Sequence, residues 1–143
     1  MRDFFTDEQK LLIKAAIDKA EKITSGEIRL HIEEECNGDV MHRAIHVFNQ
    51  LHMQKTKYRN AVLFYLAIGH KKLAVVGDEG IHAKVPDGFW EKVKEHMIVR
   101  FKEEKYTEGI CEGINMAAEM LHIHFPRHAN DKNQLSDEIS FGK

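Results

Sequence analysis

The sequence is short of several features, and each shortage excludes a class of protein. Cysteine occurs only twice, as Cys36 and Cys111, far apart and without CxxC spacing. This rules out a disulfide-stapled scaffold or a thiolate zinc ribbon and reads as two unpaired thiols in a reducing compartment. Charge of one sign is lacking too. The formal net charge is −2, and Lys and Arg are interleaved with Asp and Glu. No one-sided basic stripe exists to follow a phosphate backbone, so nucleic acid is not an expected partner. No apolar run approaches the roughly 20 residues that span a bilayer. The opening Met1-Arg2-Asp3-Phe4-Phe5-Thr6-Asp7 has no apolar core behind a basic head, as a secretion signal requires. These absences predict a cytoplasmic chain without a membrane span.

What is present is one ordinary globular domain: 143 residues, 43% of them hydrophobic and 31% charged. Thr6 and Gln9 have capping-box spacing, and Leu12, Ala16, Ala20 and Ile23 then recur at helical intervals before Ser25-Gly26. Residues 27–33 alternate, with Ile28, Leu30 and Ile32 on one face and Arg29, His31 and Glu33 on the other, which predicts a half-buried strand. Asp39 can cap a second helix with an apolar stripe of Met41, Ala44, Ile45, Phe48 and Leu51. Residues 61–68 form an unbroken apolar run that predicts the central strand, and Gly69-His70-Lys71-Lys72 turns the chain back into Leu73-Ala74-Val75-Val76. Gly77-Asp78-Glu79-Gly80 ends that strand, and a short extended piece is expected over residues 81–85. Pro86-Asp87 starts a helix with Trp90, Val93, Met97 and Phe101 inward. Thr107 caps another, carrying Ile110, Ile114, Ala117, Leu121 and Phe125, with Gly109 and Gly113 expected to pack closely on the sheet. Pro126 closes it. The expected fold is α/β: a small mixed sheet of three to four strands between helices over residues 1–126, followed by a polar, loose tail over residues 127–143.

The order of elements places a site. A helix joins the first strand to the second, which predicts parallel pairing, whereas the tight turn makes the second and third antiparallel. The start of strand one, the start of strand two and the end of strand three then share one edge. That edge brings Glu27, Arg59, Asp78 and Glu79 together, with Asp87 at the next helix start. Clustered carboxylates repel unless a cation neutralises them. Oxygen donors without paired thiolates favour Ca2+ or Mg2+ over zinc. The same residues also suit a Gly-rich turn and a helix cap.

At these residues the chain resembles the TPM domain family. The matching stretches are Thr24-Ser25-Gly26-Glu27-Ile28-Arg29, Arg59-Asn60-Ala61-Val62-Leu63, Val76-Gly77-Asp78-Glu79-Gly80-Ile81 and Tyr106-Thr107-Glu108-Gly109-Ile110, spread over residues 7–126. The resemblance implies a small mixed sheet between helices and, as for some members, divalent cation binding, usually of calcium, in keeping with the acidic edge of Glu27, Asp78, Glu79 and Asp87. It implies, for some members, a role in photosystem repair, and for a plant member an acid phosphatase activity. Most members are secreted or membrane-anchored, unlike the chain expected here. The secreted branch carries a Gly-x-Gly-x-Glu-Gly stretch, of which Gly77-Asp78-Glu79-Gly80 is a shorter form, and Asp87 matches the acid that follows it.

Other residues offer alternatives to this edge. Ten histidines include the His42/His46 pair, at metal-ligand spacing but beside an apolar stripe, and His122, His124 and His128 around Pro126. Arg59 could clamp a phosphate opposite a bound cation, as a metal-dependent phosphomonoesterase would need, or pair with Glu27 or Asp78. No Gly-x-Ser-x-Gly and no phosphate-cradling loop accompanies it. The expected function is a non-catalytic cation-binding module, with the phosphomonoesterase as alternative. Leu135, Ile139 and Phe141 in the tail are spaced like anchors for a partner protein.

Overall fold

A computed structural model describes residues 4–127 and 139–142. Within them the chain forms helix α1 (Asp7–Ile23), strand β1 (Glu27–Glu33), α2 (Val40–Gln50), a 3-10 turn (Met53–Lys55), β2 (Ala61–Ala67), β3 (Lys72–Gly77), α3 (Glu79–His82), α4 (Phe89–Lys102), α5 (Tyr106–His124) and β4 (Ser140–Phe141). The sheet has the order β3-β2-β1-β4. β1 and β2 are parallel with Glu27 opposite Ala61, and β2 and β3 are antiparallel with Val62 opposite Gly77. It is the open mixed sheet that the crossover and the turn predict.

Both faces of the sheet are covered. Ile28, Leu30, Ile32, Val62, Phe64, Leu66, Leu73 and Val75 pack with α1, α4 and α5. Ala61, Leu63, Tyr65, Ala67 and Ala74 pack with Ala44, Val47 and Phe48 of α2. β1 is therefore buried along nearly its whole length rather than half-buried, and on its polar face Glu33 meets Arg43 of α2.

The local signals hold where one side chain decides them. Thr6 and Gln9 form the reciprocal capping box of α1, and Asp39 caps α2 through the backbone N–H of His42. The helical stripes shift in phase. In α1 the core takes Ile13, Ile17 and Ala20, while Leu12 lies 59% exposed. In α2 it takes Ala44, Val47 and Phe48, leaving Met41 and Ile45 exposed. The extended piece expected at residues 81–85 is instead the helical turn α3, capped by the Asp78 carboxylate on the N–H of Glu79 at 2.8 Å. Asp87 caps nothing: the residue before α4 is Gly88, at φ 82°. Thr107 is buried inside α5, and the small residues of that helix meet α4 rather than the sheet, with Gly109 against Phe101 and Gly113 against Met97.

The segment expected to be a loose tail is docked where it is described. β4 pairs parallel to β1, the N–H of Gly142 donates to the carbonyl of Ile32 at 2.8 Å, and Ile139 and Phe141 pack on the main core. Leu135 and His128 lie outside the described residues.

Candidate functional site

The edge formed by the starts of β1 and β2 and the end of β3 brings Arg59, Asp78 and Glu79 into contact. Arg59 sits in the left-handed region at φ 51°, one residue before Asn60, whose side chain is buried. Its guanidinium grips Asp78 with two bonds, Nε to Oδ2 at 2.7 Å and Nη2 to Oδ1 at 2.8 Å, and its Nη1 donates to Glu79 Oε1 at 3.0 Å. The backbone locks the same junction: Asp78 N donates to the carbonyl of Ala61 at 3.0 Å and Gly80 N to that of Arg59 at 2.9 Å. A side chain at Gly80 would begin 2.2 Å from the carbonyl oxygen of Tyr58, so the second glycine of the Gly-Asp-Glu-Gly stretch serves close approach rather than flexibility.

The other expected ligands lie at the periphery of this contact. Glu27 begins β1 on the same edge, buried, with its N–H on the carbonyl of Asn60 at 3.3 Å. Asp87 is exposed in the turn before α4, lining a recess with Trp90 that is separate from the recess holding Arg59 and Asp78; His82 borders both. Among the described residues no three His, Cys, Asp or Glu side chains are placed to hold a metal ion.

At the opposite end of β1 the structure assembles a polar cluster that no sequence motif marked. Buried Glu33 receives Nε of Arg43 at 3.0 Å, Nη2 of Arg43, the hydroxyl of buried Tyr65, and Nε2 of His31 at 3.2 Å. Burial by itself would raise the Glu33 carboxyl, but the hydrogen bonds from Arg43, Tyr65 and His31 outweigh it and hold the group down at about 2. Burial and the Glu33 carboxylate push the Tyr65 phenol up, and burial keeps His31 below the ordinary histidine range. Nδ1 of His31 meets the Ser140 hydroxyl at 2.9 Å. These groups tie β1, β2, α2 and β4 together, so the cluster is a clamp rather than a poised acid or base. A legible trace existed: His31 and Glu33 share a face of β1, and parallel register puts Tyr65 opposite His31.

His42 and His46 are exposed and border the open cleft beside this clamp. His122 Nδ1 lies 2.7 Å from the carbonyl of Ile23. Cys36 is buried, and burial followed by Glu108 and Glu112 raises Cys111 above the ordinary thiol range. No helix of the described residues is long and apolar enough to cross a membrane.

Comparison with known proteins agrees with this architecture. The solution structure of the BA42 protein from the psychrophilic bacterium Bizionia argentinensis is 39% identical, with a TM-score of 0.93, covering 99% of this chain and 98% of that one. An N-terminal domain from P. gingivalis shares the fold at TM-score 0.71 and 16% identity, covering 90% of this chain and 84% of that one. An N-terminal domain from Corynebacterium glutamicum does so at TM-score 0.64 and 12% identity, covering 93% and 82%. No curated protein matches the sequence. The TPM domain model matches residues 1–120, and the chain belongs to the TPM domain family.

Proposed function

We propose that this TPM domain is a non-catalytic module that takes a hydrated Ca2+ or Mg2+ ion at the junction of β3 and α3, through Asp78 and Glu79. The observation that supports it is the sharing of one guanidinium by two carboxylates: Arg59 bonds both Asp78 and Glu79. One positive charge facing two negative ones leaves the junction a net acceptor for a further cation. Glu79 is mostly exposed, so water can complete the shell of an ion bound through few carboxylates, as Mg2+ prefers. Asp87, and Glu27 behind the edge, are the further carboxylates within the same end of the sheet.

The phosphomonoesterase alternative would need Arg59 to face a phosphate, yet the Arg59 fork is engaged by Asp78. Amide NMR shifts during titration with Mg2+ or Ca2+ test the proposal. Saturating shifts at residues 77–81, lost in Asp78→Asn/Glu79→Gln, are expected. Silence of those amides at millimolar ion would refute it, and chelator-sensitive turnover of p-nitrophenyl phosphate would replace it with the enzyme.

A further inference from the structure

A further recess, of about 560 Å3, lies between the start of β3 and α4, away from the acidic edge. Its volume falls within the roughly 300–1,000 Å3 of small-molecule sites. The floor is apolar. Leu73 is buried, Ile98 is half-buried, and Phe101 and Tyr106 lie ring beside ring with centroids 5.2 Å apart.

The rim is cationic. Lys71 and Lys72 border it from the β2–β3 turn, and Lys94 and Lys102 from α4, against the single carboxylate of Glu104. Lys94, Ile98, Phe101 and Lys102 recur at helical spacing, so α4 presents its apolar and basic groups to the recess on one face. Lys72 is committed, since its Nζ donates to the carbonyls of Cys36 at 2.8 Å and Gly38 at 2.9 Å. Lys71, Lys94 and Lys102 form no ion pair among the described residues. Three uncommitted ammonium groups ring an apolar floor, an arrangement complementary to one kind of ligand.

We infer that this recess binds a small amphipathic anion, an apolar body with one carboxylate head, whose body lies on Leu73, Ile98 and Phe101 while Lys94 and Lys102 receive the head. The site is independent of the cation proposal and shares no residue with it.

Titration of the full chain with octanoate, followed by amide NMR, tests it, with octanol as the uncharged comparison. Saturable shifts at residues 71–73 and 98–106 are expected, with octanol several-fold weaker. Lys94→Gln/Lys102→Gln should weaken octanoate by about five-fold, the scale of two exposed charge contacts, while leaving octanol binding and the melting curve unchanged. Equal response to octanol and octanoate, or wild-type octanoate affinity in the double variant, would overturn the proposal. So would association with phosphatidylglycerol vesicles without any response to monomeric octanoate, which would make the lysines a membrane-facing patch.

Discussion

Arg59 and Asp78, nineteen residues apart, meet through a bidentate fork that joins the start of β2 to the end of β3. The same guanidinium also holds Glu79, so this one arginine offsets part of the charge of both carboxylates.

Removing that arginine should therefore help a cation rather than hinder it. Arg59→Gln is expected to tighten Mg2+ or Ca2+ binding at the Asp78/Glu79 pair by about two- to five-fold, the scale of one exposed ion pair. Calorimetric titration of both proteins checks the sign. Weaker binding in the variant would show that Arg59 orients the ligands instead of competing with the ion.

Two glycines form a matched pair, Gly80 at this junction and Gly38 in the connection between β1 and α2. An added Cβ at Gly80 would start 2.2 Å from backbone oxygen, whereas one at Gly38 meets nothing within 4 Å. Gly80→Ala should cost on the order of 2 kcal/mol in chemical denaturation, and Gly38→Ala less than about 0.5 kcal/mol. Equal costs would mean that the α3 turn yields without strain.

The Glu33 clamp predicts a pH profile. With the folded carboxyl at about 2 and the ordinary value at 4.5, its contribution is complete above pH 4.5 and is lost as pH falls from there toward 2. The full contribution is on the order of 3 kcal/mol. His31 acts in the same direction at higher pH. Burial lowers it, so below pH 6.5 the unfolded chain takes up a proton that the folded chain resists, and stability falls. Glu33→Gln should lower stability at pH 7 and flatten the profile below pH 4.5, and His31→Asn should flatten it just below pH 6.5. Urea midpoints from pH 7 to 3 would reveal parallel curves if the clamp were energetically idle.

Ending the chain after residue 138 should be measurably destabilising. It removes the β4 pairing, the His31–Ser140 contact and the packing of Ile139 and Phe141, for about 1–2 kcal/mol, since both side chains remain half-exposed. A melting temperature equal to the full chain's would restore the picture of a tail that contributes nothing to the fold.

Much of this was legible locally. The capping box of Thr6 and Gln9, the Asp39 cap, the bounds of β1 and the β2–β3 turn each depend on neighbours a few residues away. The crossover rule was enough to place Glu27, Arg59 and Asp78 at one edge, because parallel pairing follows from a helix between strands.

What the sequence by itself determined, then, was α1, α2, α4, α5 and the three strands β1 to β3, their pairing sense, and the edge shared by Glu27, Arg59, Asp78 and Glu79. Phase and partners were decided only in three dimensions. Leu11-Leu12-Ile13 offers adjacent apolar candidates, and folding buries Ile13 in the main core while Leu12 stays 59% exposed. Asp78 could serve an ion or an arginine, and the left-handed turn at Arg59 aims the guanidinium at it. Glu33, Arg43, Tyr65 and His31 look unremarkable along the chain, and become a clamp only when folding brings Arg43 of α2 and Tyr65 of β2 to the end of β1. Ser140 lies 109 residues from His31, and no local pattern reports a contact across such a distance. Short-range hydrogen bonds and side-chain periodicity select an element locally. A polar side chain in its interior acquires a role only from the group that folding places opposite it.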